Sequence, residues 1–230
     1  KKQSLTELAD RITPGTAVPF KYLITYTNRM SWAVQVLENL RAFLAPLHSY
    51  IATQQSDGAQ KESPRTPSAI VRLCIRYIQQ QLKTTPTPTA EFRQRMPGTG
   101  ATDAGASKQD RKAGIGGWYG TKTDSRWDVD WFMVPITPQS HPWVYEKDDD
   151  PQRFISSLEL LADVYMIEYL SKRHPGQAGQ LYAPLTTDNY GNTFIIKKHF
   201  TSTFPNCCLV MELTDRLIRS DLYLRIEHRE

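Results

Sequence analysis

The chain has few cysteines and no long apolar run, and both absences narrow the class of protein. Cysteine occurs three times in 230 residues, as Cys74, Cys207 and Cys208. An odd number with two adjacent members is a poor basis for disulfide bonds, so we expect reduced packing residues. No apolar run approaches the roughly 18 residues that a transmembrane helix needs, and the N-terminal residues lack the apolar core of a secretion signal. The sequence therefore predicts an intracellular protein, cytoplasmic or nuclear, without membrane contact.

Sequence motifs of several common active sites are also missing. No Cys-x-x-Cys pair occurs and the five histidines are widely spaced, which argues against a structural zinc site. The Gly-x-Ser-x-Gly pattern of serine hydrolases and the lysine-containing phosphate loop are absent. The sequence thus has no convincing Ser/His/Asp constellation for nucleophilic catalysis.

The sequence does have an ordinary globular composition with an uneven distribution of charge. With 40% apolar and 23% charged residues, the chain can bury a hydrophobic core. Lys and Arg outnumber Asp and Glu by 13 to 6 over residues 1–100, a net charge of +7, whereas residues 101–230 carry 15 against 18, a net charge of −3. A basic region suits contact with polyanions and an acidic region suits cations. Chance scatter explains the same asymmetry, and both interpretations stay open.

The first part of the chain reads as helices joined by polar segments. Apolar residues at helical spacing over 27–52 predict one helix, or a bent pair interrupted at Pro46. Residues 53–64 are too polar to pack and predict an exposed loop. A cap at Ser68, followed by a second set of helically spaced apolar residues, predicts a helix that ends at about Lys83.

A stiff linker is predicted between this helical region and a second domain. Residues 84–89 consist of threonine and proline only, which favours an extended segment. We therefore place a boundary near residue 98, with a smaller helical region over 1–97 and a larger domain over 98–230. Because the chain begins at lysine, we also expect it to be a segment of a longer protein.

The second domain changes to a mixed periodicity. The glycine-rich region 114–120 and the alternating side chains of 126–136 predict antiparallel strands. Downstream, the pattern predicts a buried helix, a strand, two helices and a closing strand, over 154–173, 181–187, 189–196, 206–220 and 222–228. This order predicts an α/β fold with a mixed sheet and crossover helices.

Three carboxylates occupy positions that such a fold brings to one end of its sheet. Asp103 lies just before or in the first strand, Glu159 lies on the leucine-rich helix, and Asp188 follows the next strand directly. The carboxyl ends of strands form the usual site-bearing edge of these sheets. A carboxylate on a buried helical turn is costly unless it is paired or bound to a metal, so Glu159 needs a partner.

Each acid also has a simpler interpretation. Glu159 could point to solvent together with Asp163, four residues on and on the same face of the helix. Asp188 could cap the helix that follows it, and Asp103 could be an ordinary loop residue. Only a metal site requires all three carboxylates to lie together, so their geometry discriminates between the interpretations.

Four short segments around these acids match a known pattern. They are Asp103-Ala104, Gly116-Gly117-Trp118, the helical run Ile155 to Leu161, and Thr187-Asp188-Asn189. Together they resemble the ribonuclease H domain of retrotransposon reverse transcriptases, most closely that of tyrosine-recombinase-type and related protist retroelements. The resemblance covers roughly residues 100–230. Segments 28–33 and 40–47 are more weakly similar to the helical thumb or connection region that follows the polymerase palm.

The resemblance implies a ribonuclease-H-like mixed five-stranded sheet and two-metal hydrolysis of the RNA strand of an RNA–DNA hybrid. Asp103, Glu159 and Asp188 match the family's metal ligands, and their oxygen donors suit Mg²⁺ or Mn²⁺. The implied partners are the hybrid and the remainder of a reverse transcriptase polyprotein. Contacts to nucleic acid are expected from Arg29, Arg41, Lys197, Lys198, Trp118 and Asn189.

The chain also departs from the family. A fourth acidic ligand, commonly in an Asn-x-x-Ala-Asp context, is not among its residues, so we expect a domain truncated at its C-terminus or weakened as a catalyst. The Tyr-x-Asp-Asp polymerase signature is absent too, and no DNA synthesis is expected of this chain. Two other functions stay open. One is a ribonuclease-H-like module that binds nucleic acid or a partner without cutting, and the other is an unrelated intracellular interaction protein.

Overall fold

The computed structural model describes residues 2–84, 94–146, 149–173 and 181–229, which divide into two compact units. The first unit comprises Lys1–Thr89 and His199–Cys207, and the second comprises Ala90–Lys198 and Cys208–Glu230. The division falls upstream of the boundary predicted near residue 98. Across the described residues, none of the helices combines the length and the apolarity needed to cross a bilayer.

The first unit is built from helices around an apolar core. Its helices are α1 (Lys2–Ile12), α2 (Phe20–Ala33), a 3₁₀ helix (Glu38–Leu44), α3 (Ala45–Ser56) and α4 (Ala69–Thr84), and a short antiparallel pair joins β1 (Val18–Pro19) to β2 (Pro64–Arg65). Tyr26, Met30, Leu47, Ile75 and Ile78 are fully buried and form much of the core. The predicted helical region is therefore present.

Two details of this region differ from the sequence-based prediction. The helical pattern over 27–52 belongs to three elements, because α2 ends at Ala33 and Pro46 lies in the first turn of α3 instead of at a break. Proline is tolerated in a first turn, since the backbone N–H that it lacks has no helical partner there.

The helix predicted after Ser68 is confirmed: α4 begins at Ala69, and the N–H of Val71 donates to the Ser68 hydroxyl at 3.5 Å.

The second unit contains a mixed sheet. Its strands are β3 (Gln94–Arg95), β4 (Thr99–Ser107), β5 (Lys112–Thr123), β6 (Arg126–Ile136), β7 (Leu181–Thr187) and β8 (Leu222–His228). The five longer strands run in the order β8–β7–β4–β5–β6, and the short β3 pairs with the start of β7 on the same side as β4. Strands β4, β5 and β6 pair antiparallel, whereas β7 is parallel to both of its long neighbours.

Three α-helices accompany this sheet: α5 (Ile155–Arg173), α6 (Tyr190–Lys198) and α7 (Asn206–Ser220). Two short 3₁₀ helices, Pro142–Val144 and Pro151–Phe154, precede α5. The predicted fold class, a ribonuclease-H-like mixed five-stranded sheet with flanking helices after a smaller helical region, is confirmed by this topology.

One face of β4, β5 and β6 packs against α5. Ile115, Ile136, Leu158 and Ala162 form the buried cluster at this contact, and α5 is buried around most of its circumference as its sequence predicts. Because successive side chains of a strand alternate, the intervening residues point to the opposite side, which we call the open face. On β6 the open face carries exposed apolar side chains: Trp127, Val129, Trp131 and Met133.

Candidate active site

The three predicted acids reach one end of the sheet from three different elements. Asp103 lies within β4 and Asp188 immediately after β7, and Glu159 is in the second turn of α5. The parallel register pairs Ala101 of β4 with Thr186 of β7. Asp103 and Asp188 each lie two residues further along. The interpretation of Asp103 as a loop residue is therefore wrong, because it is a strand residue paired with Gly116 of β5.

Glu159 lies in an environment that couples it to the other two acids. It is only 8% exposed. Burial raises the pKa of its carboxyl, and the negative charges of Asp188 and Asp103 raise this pKa further, while a hydrogen bond from the Asn189 side chain partly offsets the increase. Mutual repulsion of this kind requires the three carboxylates to share one region. The interpretation of Glu159 and Asp163 as a hydrated stripe is wrong, since Asp163 is 1% exposed.

Asn192 of α6 holds Glu159 in place. Its side chain is fully buried, and its amide nitrogen donates to the Glu159 carboxylate at 3.2 Å and to the Ser156 carbonyl at 2.9 Å. The Ser156 hydroxyl in turn donates to the Asn192 amide oxygen at 2.9 Å. Three hydrogen bonds on one buried amide fix its orientation, and with it the orientation of the carboxylate.

Asp188 is exposed and lies at the start of a turn into α6. The cap of this helix is Asn189, whose side-chain oxygen accepts from the N–H of Asn192 at 3.0 Å, so the interpretation of Asp188 as the cap is wrong. His228, at the end of β8, has its Nε2 3.0 Å from the Asp188 carbonyl oxygen. The His228 ring also contacts Tyr190, with ring centroids 5.4 Å apart.

A second buried acid, Asp163, lies four residues after Glu159 on α5 and contacts the strand that carries Asp103. Thr102, the neighbour of Asp103, donates its hydroxyl proton to the Asp163 carboxylate at 2.7 Å. Burial raises the pKa of Asp163 to about 7, the Thr102 hydrogen bond lowers it, and the Glu159 charge adds to the increase. Since successive residues of a strand face opposite ways, Asp163 anchors the strand that presents Asp103 on the open face.

The carboxylate oxygens of Asp103, Glu159 and Asp188 are of a chemical type that binds divalent cations. Carboxylate oxygens are hard donors that suit Mg²⁺ or Mn²⁺, and a cation would relieve the repulsion that raises the Glu159 pKa. Within the described part of the chain, no three His, Cys, Asp or Glu side chains are arranged to hold an ion as they stand. Asp103 and Asp188 are exposed, and the Asp103 carboxylate accepts a hydrogen bond from the N–H of Ala104 at 2.7 Å.

The other predicted contact residues are spread over both units. In the second unit, Lys197 and Lys198 are exposed on the last turn of α6, Asn189 caps that helix, and Trp118 is half-buried on the open face. In the first unit, Arg29 donates to the Ser4 hydroxyl and Arg41 donates to the Val34 carbonyl at 3.4 Å. The role of these six residues in binding nucleic acid stays a prediction.

Sequence reasoning missed the supporting residues Asn192, Thr102 and His228. The sequence does carry a signal for Asn192, which precedes Ile196 by one helical turn. Both residues are buried, so Asn192 is a polar residue on the apolar face of α6. No comparable local signal marks Thr102 or His228, because their partners are 61 and 40 residues away in the chain.

Comparisons with known proteins give likenesses to solved structures only. No protein-family model matches the sequence, and no curated protein does either. The chain is similar to RNase H1 from the halophilic archaeon Halobacterium salinarum NRC-1, with 12% identity, a TM-score of 0.37, and coverage of 59% of this chain and 86% of that one. It is also similar to the N-terminal RNase H domain of rv2228c from Mycobacterium tuberculosis, with 10% identity, a TM-score of 0.34, and coverage of 57% and 84%.

Proposed function

We propose that the second unit is a metal-dependent endonuclease that hydrolyses the RNA strand of RNA–DNA hybrids. The observation that carries the proposal is the position of Glu159, which is buried, held by Asn192 and electrostatically coupled to Asp103 and Asp188. A buried carboxylate repelled by two exposed ones, at the carboxyl end of a parallel strand pair, is typical of a site that binds cations.

Each residue of the site has a distinct task in this proposal. Asp103, Glu159 and Asp188 would hold Mg²⁺ or Mn²⁺, two ions being expected, and such a pair activates water and stabilises the departing oxygen. Asn192 keeps the Glu159 carboxylate pointed at the site, and the Thr102–Asp163 hydrogen bond fixes the strand that carries Asp103. No side-chain nucleophile is needed, which agrees with the absence of a Ser/His/Asp constellation in the sequence.

We further propose that the chain is part of a retroelement reverse transcriptase. It is supported by the sequence resemblance around Asp103, Glu159 and Asp188, and by the helical nature of the first unit, which a thumb or connection region requires. Residues 1–100 carry 13 basic against 6 acidic side chains, a balance that suits contact with a phosphate backbone. The partners proposed are the hybrid and the remainder of the polyprotein.

A second candidate is a ribonuclease-H-like module that binds nucleic acid without cutting it. The observation that favours it is the arrangement of the acids, because no three metal-ligating side chains among the described residues are placed to hold an ion as they stand. In this alternative the fold and the nucleic-acid contacts persist, and the carboxylates never gather around a cation.

Cleavage of a hybrid whose RNA strand is end-labelled separates the two candidates. We expect Mg²⁺-dependent cleavage that falls by at least about a hundredfold in Asp188→Asn, because a metal ligand contributes several kcal/mol to the transition state. Asp128→Asn is the matched control. Asp128 is an acid of the same sheet that pairs at 3.4 Å with Arg173, at the opposite end of α5 from Glu159, and such an exposed pair contributes little.

The outcomes of this assay are distinct. Cleavage that needs the metal and is lost only in Asp188→Asn supports the nuclease. Tight binding of the hybrid without cleavage, in wild type and both variants alike, supports the binding module. Cleavage that is unchanged by chelation of the metal contradicts the proposed mechanism.

A further inference from the structure

We propose that the open face of the sheet is a track for nucleic acid, along which sugars and bases contact the β6 side chains Trp127, Trp131 and Met133. The inference rests on the proposed function for its position, since the track leads to Asp103. It adds a binding surface to the catalytic acids, and it assigns a role to side chains that the hydrolysis itself does not use.

The first observation is a row of exposed apolar side chains on an edge strand. Trp131 and Met133 are each 74% exposed and Trp127 is 54% exposed, and all three lie on the same face because they are spaced by two or four residues. Trp118 of β5 pairs directly with Trp131 and extends the row by one strand. Large aromatic side chains left in solvent on one face mark a contact surface.

The second observation is a groove with a floor of bare backbone beside Asp103. The groove has a volume of about 490 Å³ and is lined by Asp103, Lys112, Met133 and the glycines 105, 114 and 116. A Cβ placed at Gly105 would meet nothing within 4 Å, and one at Gly116 would come no nearer than 3.3 Å to the Phe132 carbonyl. A side chain at Gly105 would therefore fit sterically, and the absence of side chains at these glycines leaves space for a ligand.

The third observation is the distribution of charge on the open face. Lys112 lies at one end of the groove and has no carboxylate partner among the described residues, and Lys122 pairs in register with Trp127 at the other end. The acids Asp128 and Asp130 of β6 point to the opposite face, where Arg173 pairs with both. The open face thus combines cations and aromatic rings around one acid, Asp103.

This combination favours nucleic acid over a protein partner. The core of a protein interface is continuous, apolar and poor in charge, whereas here the apolar row of β6 lies beside bare glycine backbone, Asp103 and Lys112 on β4 and β5. Surfaces that hold nucleic acid instead alternate cations for phosphates with aromatic faces for bases and sugars. The nucleic acid is therefore the occupant that we assign to this face.

The spacing between rows of side chains on the open face also matches the repeat of a nucleic-acid strand. Asp103, Gly116 and Met133 form one row across the three strands, and Ala101, Trp118 and Trp131 form the next row. Two residues along a strand span about 7 Å. This distance corresponds to about two nucleotide steps of a stacked strand. Trp118 and Trp131 thus lie one row away from Asp103, on the first and second strands beside β4.

The test is hybrid binding by the full chain, measured by fluorescence anisotropy in EDTA, together with cleavage in Mg²⁺. The variant is Trp131→Ala combined with Met133→Ala, and both side chains are exposed enough to be removed without unfolding the sheet. We expect the hybrid dissociation constant to rise about tenfold or more, since stacking on one base contributes about 1–3 kcal/mol. The KM for hybrid cleavage should rise together with the dissociation constant.

Leu73→Ala is the matched control, because Leu73 of α4 is an apolar side chain that is 62% exposed but lies outside the sheet. It should leave hybrid affinity unchanged. A double variant that binds the hybrid as tightly as wild type overturns the inference, whether or not the chain cuts. A double variant that changes only the self-association of the chain overturns it as well, and identifies a protein interface.

The inference and the proposed function can fail separately. If the chain binds the hybrid but does not cut it, and the double variant still weakens binding, the nuclease proposal fails and the track stands. If the chain cuts and the double variant leaves both affinity and KM unchanged, the nuclease proposal stands and the track fails. A wild-type chain that binds no hybrid overturns both.

Discussion

The two faces of strands β4 to β6 share one backbone, but the side chains of one face are mostly buried or half-buried and those of the other are mostly exposed. Thr102 points toward α5, where it satisfies the buried Asp163, and its neighbour Asp103 points to the open face and is exposed. Ile115 is buried against α5, whereas Trp131 stands in solvent. The first face holds the fold together. The second presents an acid, bare backbone and aromatic rings, and so carries the features expected of a binding surface.

The largest difference between the faces should appear in how much a substitution on each face changes the free energy of unfolding. Ile115→Ala, on the packed face, is expected to lower the free energy of unfolding by about 2–5 kcal/mol, because it removes buried methyl groups and leaves a cavity. Trp131→Ala, on the open face, should change it by no more than about 0.5 kcal/mol, because its environment hardly changes on folding. Denaturant unfolding followed by circular dichroism gives both values. Equal losses would show that the open face is packed in solution.

The pH dependence of stability tests the packed face more finely. The Asp163 pKa is raised to about 7 in the folded chain from an ordinary value of 3.8. The folded state therefore keeps a proton that the unfolded state releases, and this group's contribution to stability falls as pH rises from about 4 to about 7, then levels off. Asp163→Asn should remove the decline, so variant minus wild-type unfolding free energies should increase from pH 4 to pH 8. A constant difference across this range would contradict the buried, protonated Asp163.

These two contrasts also show what could be predicted from sequence. The strands and helices of the second unit have clear periodicity, so β6, α5 and β8 were predicted to within a residue or two. Of the three predicted acids, Glu159 interrupts an apolar helical pattern and Asp188 follows a strand directly, whereas Asp103 was predicted just before or in the first strand and lies within β4. Such signals are local, and local patterns are what a single sequence displays.

Features that depend on long-range contacts could not be predicted. The first unit's helical pattern breaks after Ala33, although no proline or glycine lies at that point to mark the break in the sequence. The return of His199–Cys207 to the first unit reflects contacts such as that between the Phe200 and His48 rings, far apart in the chain. Asn192 was read as a helix residue only, because its partner Glu159 is 33 residues away.

Removing the Asn192 amide should act on the rate through Glu159. In Asn192→Ala the Glu159 carboxylate loses the donor at 3.2 Å, so cleavage should slow by about tenfold, the effect of about 1.4 kcal/mol expected for a hydrogen bond to a charged group. Loss of this bond also raises the Glu159 pKa further, and the acid limb of the pH–rate profile should move to higher pH. Thr193→Ala, one residue on, is the control. A lower rate with an unmoved profile would indicate a merely structural role.

The smallest effect is expected from the cations of α6. Lys197 and Lys198 are exposed on its last turn, so Lys197→Ala and Lys198→Ala should each weaken hybrid binding only a few-fold, and about equally for all sequences. Each should also lower the slope of log affinity against log salt by about one, since one phosphate contact is lost. Titrations at several salt concentrations measure this slope. An unchanged slope would place both lysines outside the contact surface.

The central claim is that Asp103, Glu159 and Asp188 gather around divalent cations. Crystals of the wild-type chain grown with Mn²⁺ and measured at a wavelength where manganese scatters anomalously would test it directly. We predict anomalous peaks within about 2.0–2.6 Å of oxygens of all three carboxylates. Manganese bound elsewhere, with no metal near Glu159, would contradict the claim.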